Sequence, residues 1–353
     1  MPSALIMAGG TGGHVFPALA VAEALRAQGW DTQWLGTQRG IEARLVPQAG
    51  ISLHTMQVQG LRGKGMLSLL KAPFNLMRAL WQARRILRQC QPSLVLGFGG
   101  FASGPGGLMA RLQGLPLVIH EQNARAGTTN RLLAPIATRV LEAFDSGLKN
   151  AEQVGNPVRE SIRAIAVPQT RLEGRTGPIQ VLVLGGSLGA QFFNQTLPSA
   201  FAKLDKPVQV VHQTGEKWAE ACQQQYAQAG FDAVRVQAFI EDMAAAYEQA
   251  DLVICRAGAL TVSEVACAGA AALFVPYPHA IDDHQTANAR WLVERGAARM
   301  YAQSALDENV LIKELNGLCD RAVLSRMAIK ARECARPEAT ASVVTVCQEV
   351  IND

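Results

Sequence analysis

The sequence predicts an α/β protein built of two Rossmann-like, doubly wound parallel-sheet domains facing a shared cleft. Three observations carry this. The chain has 353 residues, more than one core accommodates. A strand, glycine turn and helix occur in that order near the start and again near the middle, and short apolar runs recur between them at helix-length intervals. With 49% apolar and 18% charged residues, the composition excludes a disordered chain.

The opening run Ala4-Leu5-Ile6-Met7-Ala8 is read as a strand ending in the turn Gly9-Gly10-Thr11-Gly12-Gly13-His14, with a helix following from Pro17 through Ala18, Leu19, Val21, Ala22 and Leu25. Thr32–Leu35 is the next strand. Leu94-Val95-Leu96 runs into a second glycine turn, Gly97-Phe98-Gly99-Gly100, and Leu117–His120 follows as a strand. In the second half Val181–Leu184 leads into Gly185-Gly186-Ser187-Leu188-Gly189-Ala190 and then a helix through Phe192, Phe193, Leu197 and Phe201. Val208–His212, Leu252–Cys255 and Ala272–Val275 complete the strands. Strands separated by helices require a parallel sheet covered on both faces. The boundary between the halves is placed just after Gly155-Asn156-Pro157-Val158-Arg159, because Ile165 to Pro178 reads as loop.

Seven cysteines without a C-x-x-C pair read as reduced core residues of a cytosolic protein. Residues 1–7 lack the basic flank and length of a signal sequence. The charge-free stretch between Arg88 and Arg111 contains six glycines and Pro105, which disfavours a membrane-spanning helix. Charge is unevenly divided: residues 1–160 hold 16 Lys/Arg against 8 Asp/Glu, a balance of +8, and the remainder 17 against 21, a balance of −4. No acid occurs between Glu42 and Glu121, so that window is a candidate anion-facing surface.

In an open parallel sheet, ligands sit beyond the carboxyl ends of the strands, where glycine lets backbone N–H groups approach a diphosphate. The turns match neither G-x-G-x-x-G nor a G-K-[ST] phosphate loop, which argues against an NAD enzyme and an ATPase. In Arg256-Ala257-Gly258-Ala259-Leu260-Thr261-Val262-Ser263-Glu264, Thr261 and Glu264 have capping-box spacing; alternatively, Glu264 accepts hydrogen bonds from both ribose hydroxyls. In Pro276 to Asn288, His279, Asp282, Asp283 and His284 allow a metal reading, whereas Asp283-His284-Gln285 also suits the hydroxyls of a sugar; the latter is preferred.

Together GGTGGHVFP (9–17), HEQN (120–123), VGNPVR (154–159), GGSLGA (185–190), RAGALTVSE (256–264) and DDHQTANA (282–289) resemble a known family. It is that of the bacterial UDP-N-acetylglucosamine:undecaprenyl-pyrophosphoryl-N-acetylmuramoyl-pentapeptide N-acetylglucosaminyltransferases of peptidoglycan synthesis. The motifs occur in the same order over nearly the whole chain. The resemblance implies the GT-B architecture. Residues 1–159 would form an acceptor and membrane-associating domain onto which a C-terminal helix, 337–353, packs back, and residues 160–336 the UDP-sugar donor domain. It further implies an inverting transfer from UDP-N-acetylglucosamine to the 4-hydroxyl of the undecaprenyl-linked muramoyl-pentapeptide, with no metal and no cofactor, at the cytoplasmic face of the inner membrane. No nucleic-acid partner is expected; proteins of wall synthesis are candidate partners.

Carried over by motif, Thr11, Gly12, Gly13, Arg159 and Ser187 would contact the donor diphosphate and Ile240 would lie near the uracil. Ala259, Leu260, Thr261, Val262, Ser263 and Glu264 would hold phosphate and ribose. Asn123 and Gln285 would read the N-acetylglucosamine hydroxyls. The chemistry also needs a base, for which His14 is the first candidate and Glu121 the second; alternatively His14 only binds phosphate or orders its loop.

Leu70 to Arg88 carries two apolar stripes at helical spacing. Leu76, Leu80, Ala83 and Leu87 are expected to bury against the sheet. Leu70, Phe74, Met77 and Trp81, with Arg84 and Arg88 adjoining, are expected to face an anionic membrane. Three competing readings share the fold class: an epimerase or hydrolase acting on the nucleotide-sugar without acceptor, a non-catalytic nucleotide-sugar sensor, and a galactosyltransferase acting on diacylglycerol.

Overall fold

The computed structural model describes residues 1–58, 72–186 and 189–352. Two of the sequence-predicted site residues, Leu70 and Ser187, lie outside them. The chain forms two compact units, Met1–Arg159 with Pro337–Asp353, and Glu160–Arg336.

The first unit runs β1 (Ser3–Met7), α1 (Gly12–Ala27), β2 (Asp31–Gly36), α2 (Glu42–Gln48), β3 (Ser52–Thr55), α3 (Ala72–Cys90), β4 (Leu94–Gly97), α4 (Ser103–Leu112), β5 (Leu117–Glu121), α5 (Thr128–Leu133), β6 (Arg139–Glu142) and β7 (Ala151–Gln153). Its sheet is parallel in the order β3-β2-β1-β4-β5-β6-β7. Period-two alternation sends Ala4 and Ile6 of β1 into one core layer with Ala18, Ala22 and Leu25 of α1, and Leu5 and Met7 into the other with Ala79, Ala83 and Leu87 of α3. The C-terminal helix Ala339–Asn352 adds Val343, Val346, Cys347 and Val350 to the α1 layer. Packing against α1 therefore buries the apolar stripe of this helix.

The second unit continues with β8 (Ile179–Leu184), α6 (Gln191–Ala202), β9 (Val208–Gln213), α7 (Ala219–Gln228), β10 (Val234–Gln237), α8 (Met243–Gln249), β11 (Leu252–Cys255), α9 (Ala259–Ala268), β12 (Ala271–Phe274), α10 (His284–Val293), β13 (Ala298–Met300), α11 (Glu308–Leu318) and α12 (Arg321–Glu333). Its parallel sheet has the order β10-β9-β8-β11-β12-β13. The segment read as loop, 165–178, contains a helical turn, Pro168–Arg171, and is tied down by its cations. Asp251, buried just before β11, accepts hydrogen bonds from Arg175 at 3.1 Å, Arg321 at 3.0 Å and the Gln180 N–H at 2.9 Å. A carboxylate held by two guanidiniums at the amino ends of β8 and β11 fastens the side of the sheet opposite the ligand edge.

Two expectations are corrected here. The first helix starts at Gly12 and not at Pro17, so His14 belongs to its first turn and Pro17, lacking an N–H, leaves the Gly13 carbonyl without an intrahelical donor. On α3, Leu76 is 53% exposed and the buried ridge is Ala79, Ala83 and Leu87, because residues 73–78 are all exposed and core contact begins only at Ala79.

No described helix is long and apolar enough to cross a membrane. All seven cysteines are free, five of them buried.

Candidate functional site

In both sheets the strand order reverses at one point, between β1 and β4 in the first unit and between β8 and β11 in the second, and the glycine turns lie at the carboxyl ends of those strands. This is where doubly wound sheets take ligands.

In the first unit the turn after β1 is held from beneath by Glu42, which is fully buried. Its Oε2 accepts the Gly10 N–H at 3.0 Å, and its Oε1 accepts the Thr37 N–H at 3.0 Å and hydroxyl at 2.7 Å. A side chain at Gly9 would meet Glu42 Oε1 at 2.6 Å. The expectation that the whole turn cradles phosphate is thus narrowed. Gly10 spends its N–H on a carboxylate, and the N–H groups aimed outward are those of α1's first turn at Gly12 and Gly13, where no side chain caps the helix and no acid is present. Arg159 stacks its guanidinium over the Phe16 ring at 5.2 Å, adding a cation beside that helix start.

The His14 ring rests on Gly99. A Cβ there would lie 3.2 Å from its Cε1, and Gly99 has φ +95°, which favours glycine independently. His14 Nδ1 is 2.7 Å from Gln122 Oε1; Gln122 Nε2 is 3.1 Å from His120 Nδ1 and donates to the His120 carbonyl at 3.0 Å; His120 Nε2 is 2.9 Å from the Gly155 carbonyl. Burial holds His120 at a pKa of about 4, so it is neutral. Glu121, the second candidate base, is 1% exposed with both oxygens engaged: Oε1 accepts from the Asn123 N–H and side-chain amide at 2.9 and 3.1 Å, Oε2 from the Gly127 N–H at 3.0 Å and Asn130 Nδ2 at 2.8 Å. It is corrected to the organiser of the 122–127 loop and the residue that orients Asn123, because four donors and burial leave it no lone pair facing a reactant.

In the second unit, Gly189 has φ +75°, and a Cβ on it would lie 1.8 Å from the Thr214 carbonyl oxygen, so only glycine lets the β8 turn close on the end of β9. Gln213 Nε2 donates to the Gly186 carbonyl at 2.9 Å and the Ala238 carbonyl at 3.1 Å, linking that turn to the loop that carries buried Ile240. Helix α9 is capped by Gly258, so the capping-box reading of Thr261 and Glu264 fails: Thr261 is the third helical residue. The N–H groups of Ala259, Leu260 and Thr261 form an uncapped helix start suited to phosphate. Val262 is fully buried with its N–H bonded to the Gly258 carbonyl, and the Ser263 hydroxyl donates to the Ala259 carbonyl at 2.9 Å, so both also brace the helix. Glu264 is 5% exposed and accepts the Tyr247 hydroxyl at 3.3 Å.

Gln285 Oε1 accepts the N–H groups of Ala257 at 3.2 Å and Tyr277 at 2.9 Å, and Asn288 Nδ2 donates to the Ala257 carbonyl at 3.1 Å. Helix α10 thereby clamps the ends of β11 and β12. Arg256 props the same edge, donating to the carbonyls of Val275 and Pro276 and to Gln303, between the rings of Phe193 and Tyr277. Among the described residues no three His, Cys, Asp or Glu side chains gather as a metal-binding group. Glu42, Gln122, His120, Gln213, Tyr247 and Asn288 were not singled out by sequence. Gln122, His120 and Asn288 sit in motifs that drew attention, HEQN and DDHQTANA, whereas Glu42, Gln213 and Tyr247 have no signal in spacing.

Two doubly wound units with glycine turns and uncapped helix starts at both switch points have the GT-B architecture, and the family match makes the chain a glycosyltransferase. Residues 4–142 match the glycosyltransferase family 28 N-terminal domain and residues 180–341 the glycosyltransferase family 28 C-terminal domain, and the chain belongs to this family. It is 55% identical over 353 residues to the UDP-N-acetylglucosamine--N-acetylmuramyl-(pentapeptide) pyrophosphoryl-undecaprenol N-acetylglucosamine transferase of Ectopseudomonas mendocina, covering 98% of each chain. It is 53% identical over 348 residues to the protein of that name from Ralstonia nicotianae, covering 97% of this chain and 95% of that one. The crystal structure of Acinetobacter baumannii MurG superposes with a TM-score of 0.86 at 45% identity, covering 99% of this chain and all of that one.

Proposed function

We propose that this chain transfers N-acetylglucosamine from UDP-N-acetylglucosamine to the C4 hydroxyl of undecaprenyl-pyrophosphoryl-MurNAc-pentapeptide (lipid I), with inversion at the anomeric carbon and release of UDP, giving lipid II. The observation that carries this is His14: it stands in the first turn of α1 at the first unit's switch point, its ring seated on Gly99 and one nitrogen held by Gln122. Near-full-length likeness to transferases of that name supports the substrates.

In this reading the acceptor oxygen attacks C1 of the sugar, the C1–O bond to the β-phosphate breaks with its electron pair leaving on UDP, and His14 Nε2 takes the hydroxyl proton. Charge growing on UDP is met by the N–H groups at Gly12 and Gly13, by Arg159, by Ser187 and Thr11, and by the α9 start at Ala259 to Thr261. Glu264 accepts from the ribose and Ile240 packs near the uracil. Gln285, its carbonyl already bound to two backbone N–H groups, keeps its Nε2 to donate to a sugar hydroxyl, and Asn123 does so from the loop ordered by Glu121. The residues 1–159 unit serves the acceptor and the 160–336 unit the donor. The exposed apolar residues of α3, with Arg84 and Arg88, rest on anionic lipid at the cytoplasmic face of the inner membrane, where a polyprenyl-linked acceptor is met.

The test is UDP release from UDP-N-acetylglucosamine with and without a short-chain lipid-linked MurNAc-pentapeptide. Release should require the acceptor, persist with chelator and fail with UDP-galactose. His14→Ala should lower kcat by about 10²–10⁴-fold with little change in donor KM. Acceptor-independent release would replace the transferase reading with a hydrolase or epimerase.

A further inference from the structure

The hydrogen-bond chain running from Gly155 through His120 and Gln122 to His14 joins three of the sequence motifs, and its polarity is fixed from one end. The Gly155 carbonyl only accepts, so the His120 Nε2 that lies 2.9 Å away carries the proton. With His120 neutral, its Nδ1 has only a lone pair to offer and needs a donor, which is Gln122 Nε2 at 3.1 Å. The second contact of that same nitrogen, to the His120 carbonyl at 3.0 Å, independently demands a donor and fixes the amide orientation. Gln122 Oε1 is therefore the atom facing His14 Nδ1 at 2.7 Å, and an amide oxygen donates nothing.

We infer that Gln122 is a positioning residue that holds His14 in its Nδ1–H form, so that the neutral ring presents the Nε2 lone pair to the acceptor hydroxyl. The inference rests on the proposal that His14 is the base. Two backbone carbonyls thereby set the polarity of a side chain three links away, as the third member of a triad sets the tautomer of a catalytic histidine. Gly99 completes the arrangement. It leaves the space in which the ring lies, and its carbonyl is pinned by the Ser103 hydroxyl at 2.7 Å, so the ring rests on a fixed floor.

The experiment is ¹⁵N NMR of the histidine ring nitrogens in full-length protein, with the His14 signals identified by their loss in His14→Ala. Wild-type His14 should show a protonated Nδ1 and an unprotonated Nε2 when neutral. Gln122→Met, of similar length but without an acceptor, should move His14 toward the Nε2–H form and lower kcat by about 10–100-fold, part of the about 10²–10⁴-fold a general base supplies, while donor KM changes less than about twofold. Gln122→Glu restores an acceptor for Nδ1–H and should recover that tautomer and part of the rate. Finding wild-type His14 protonated on Nε2, or Nδ1–H retained in Gln122→Met, overturns the relay whatever the rates. Normal turnover by His14→Ala overturns the base assignment whatever the tautomer, so the two failures are told apart.

Discussion

Glu42 shows how a residue with no substrate role can still set a site. It is fully buried, and its oxygens are satisfied by Gly10 and Thr37. Glycines at 9, 36 and 40 crowd it so closely that a Cβ at any of them would collide with its side chain. Glu42→Gln replaces one acceptor oxygen by a donor facing an N–H that cannot accept, so one or two buried groups go unpaired at about 1–3 kcal/mol each. We expect urea unfolding to show a loss of about 2–4 kcal/mol, with a lower kcat because His14 follows the turn; an unchanged midpoint would mean the turn does not depend on this carboxylate. Nothing in the sequence marks Glu42, since its partners are two backbone N–H groups and a threonine hydroxyl, 5 and 32 residues away, and a lone glutamate at a helix start reads as ordinary. His14 and Glu264 were legible because each sits in a motif that ends a strand. The relay through Gln122 was not, because the pairing of its amide with two histidines depends on how β1 and β5 are spaced across β4.

Helices and strands divide along similar lines. The strands read from sequence, such as Ala4–Ala8, Val181–Leu184 and Leu252–Cys255, are the buried central ones whose residues are apolar on both faces. Missed were β3, β6, β7, β10 and β13, of three or four residues each; β3, β7, β10 and β13 lie at sheet edges and β6 is next to one. Short, half-exposed edge strands carry polar residues and are fixed by the neighbour they pair with. Helix α3 reverses the problem: its apolar pattern was legible, but where the core ends was not. Phe74, Leu76, Met77 and Trp81 are all more than half exposed, Arg85 stacks on Trp81, and α4 beside it exposes Leu112. Burying an aromatic side chain of this kind contributes about 1.5–3 kcal/mol and each arginine near an anionic surface about 1 kcal/mol. Trp81→Ala with Arg84→Ala should therefore weaken binding to anionic vesicles at least about tenfold, and salt should weaken the wild type. Equal wild-type binding to neutral vesicles would remove the electrostatic half of this account.

At the scale of the molecule, charge and titration are divided between the units. The first holds 16 Lys/Arg against 10 Asp/Glu, a balance of +6 once the C-terminal helix is included, and the second 17 against 19, or −2. Each unit also buries one neutral histidine. His120 at the end of β5 has its pKa pushed down to about 4, and His212 in β9, bonded to the Tyr226 hydroxyl at 2.9 Å, to about 3, in both cases because burial penalises the charged ring. Both folded values lie below the unfolded value of 6.5, so between them the unfolded chain binds more protons than the folded one. Stability is therefore full above about pH 6.5 and falls as pH drops toward 4, by about 1.4 kcal/mol per pH unit for each histidine, or about 2 kcal/mol each at pH 5. The half-buried carboxylates with lowered values, Glu308 and Asp320, start from 4.5 and 3.8, so their contribution is retained at pH 5 and lost only as pH falls below those values. Urea unfolding at pH 7.5, 6 and 5 should show a flat stretch followed by this loss, and His212→Gln should flatten the slope for the second unit alone. An identical acid slope in that variant would assign the loss to other groups and leave His212 a neutral packing residue without a part in the pH response.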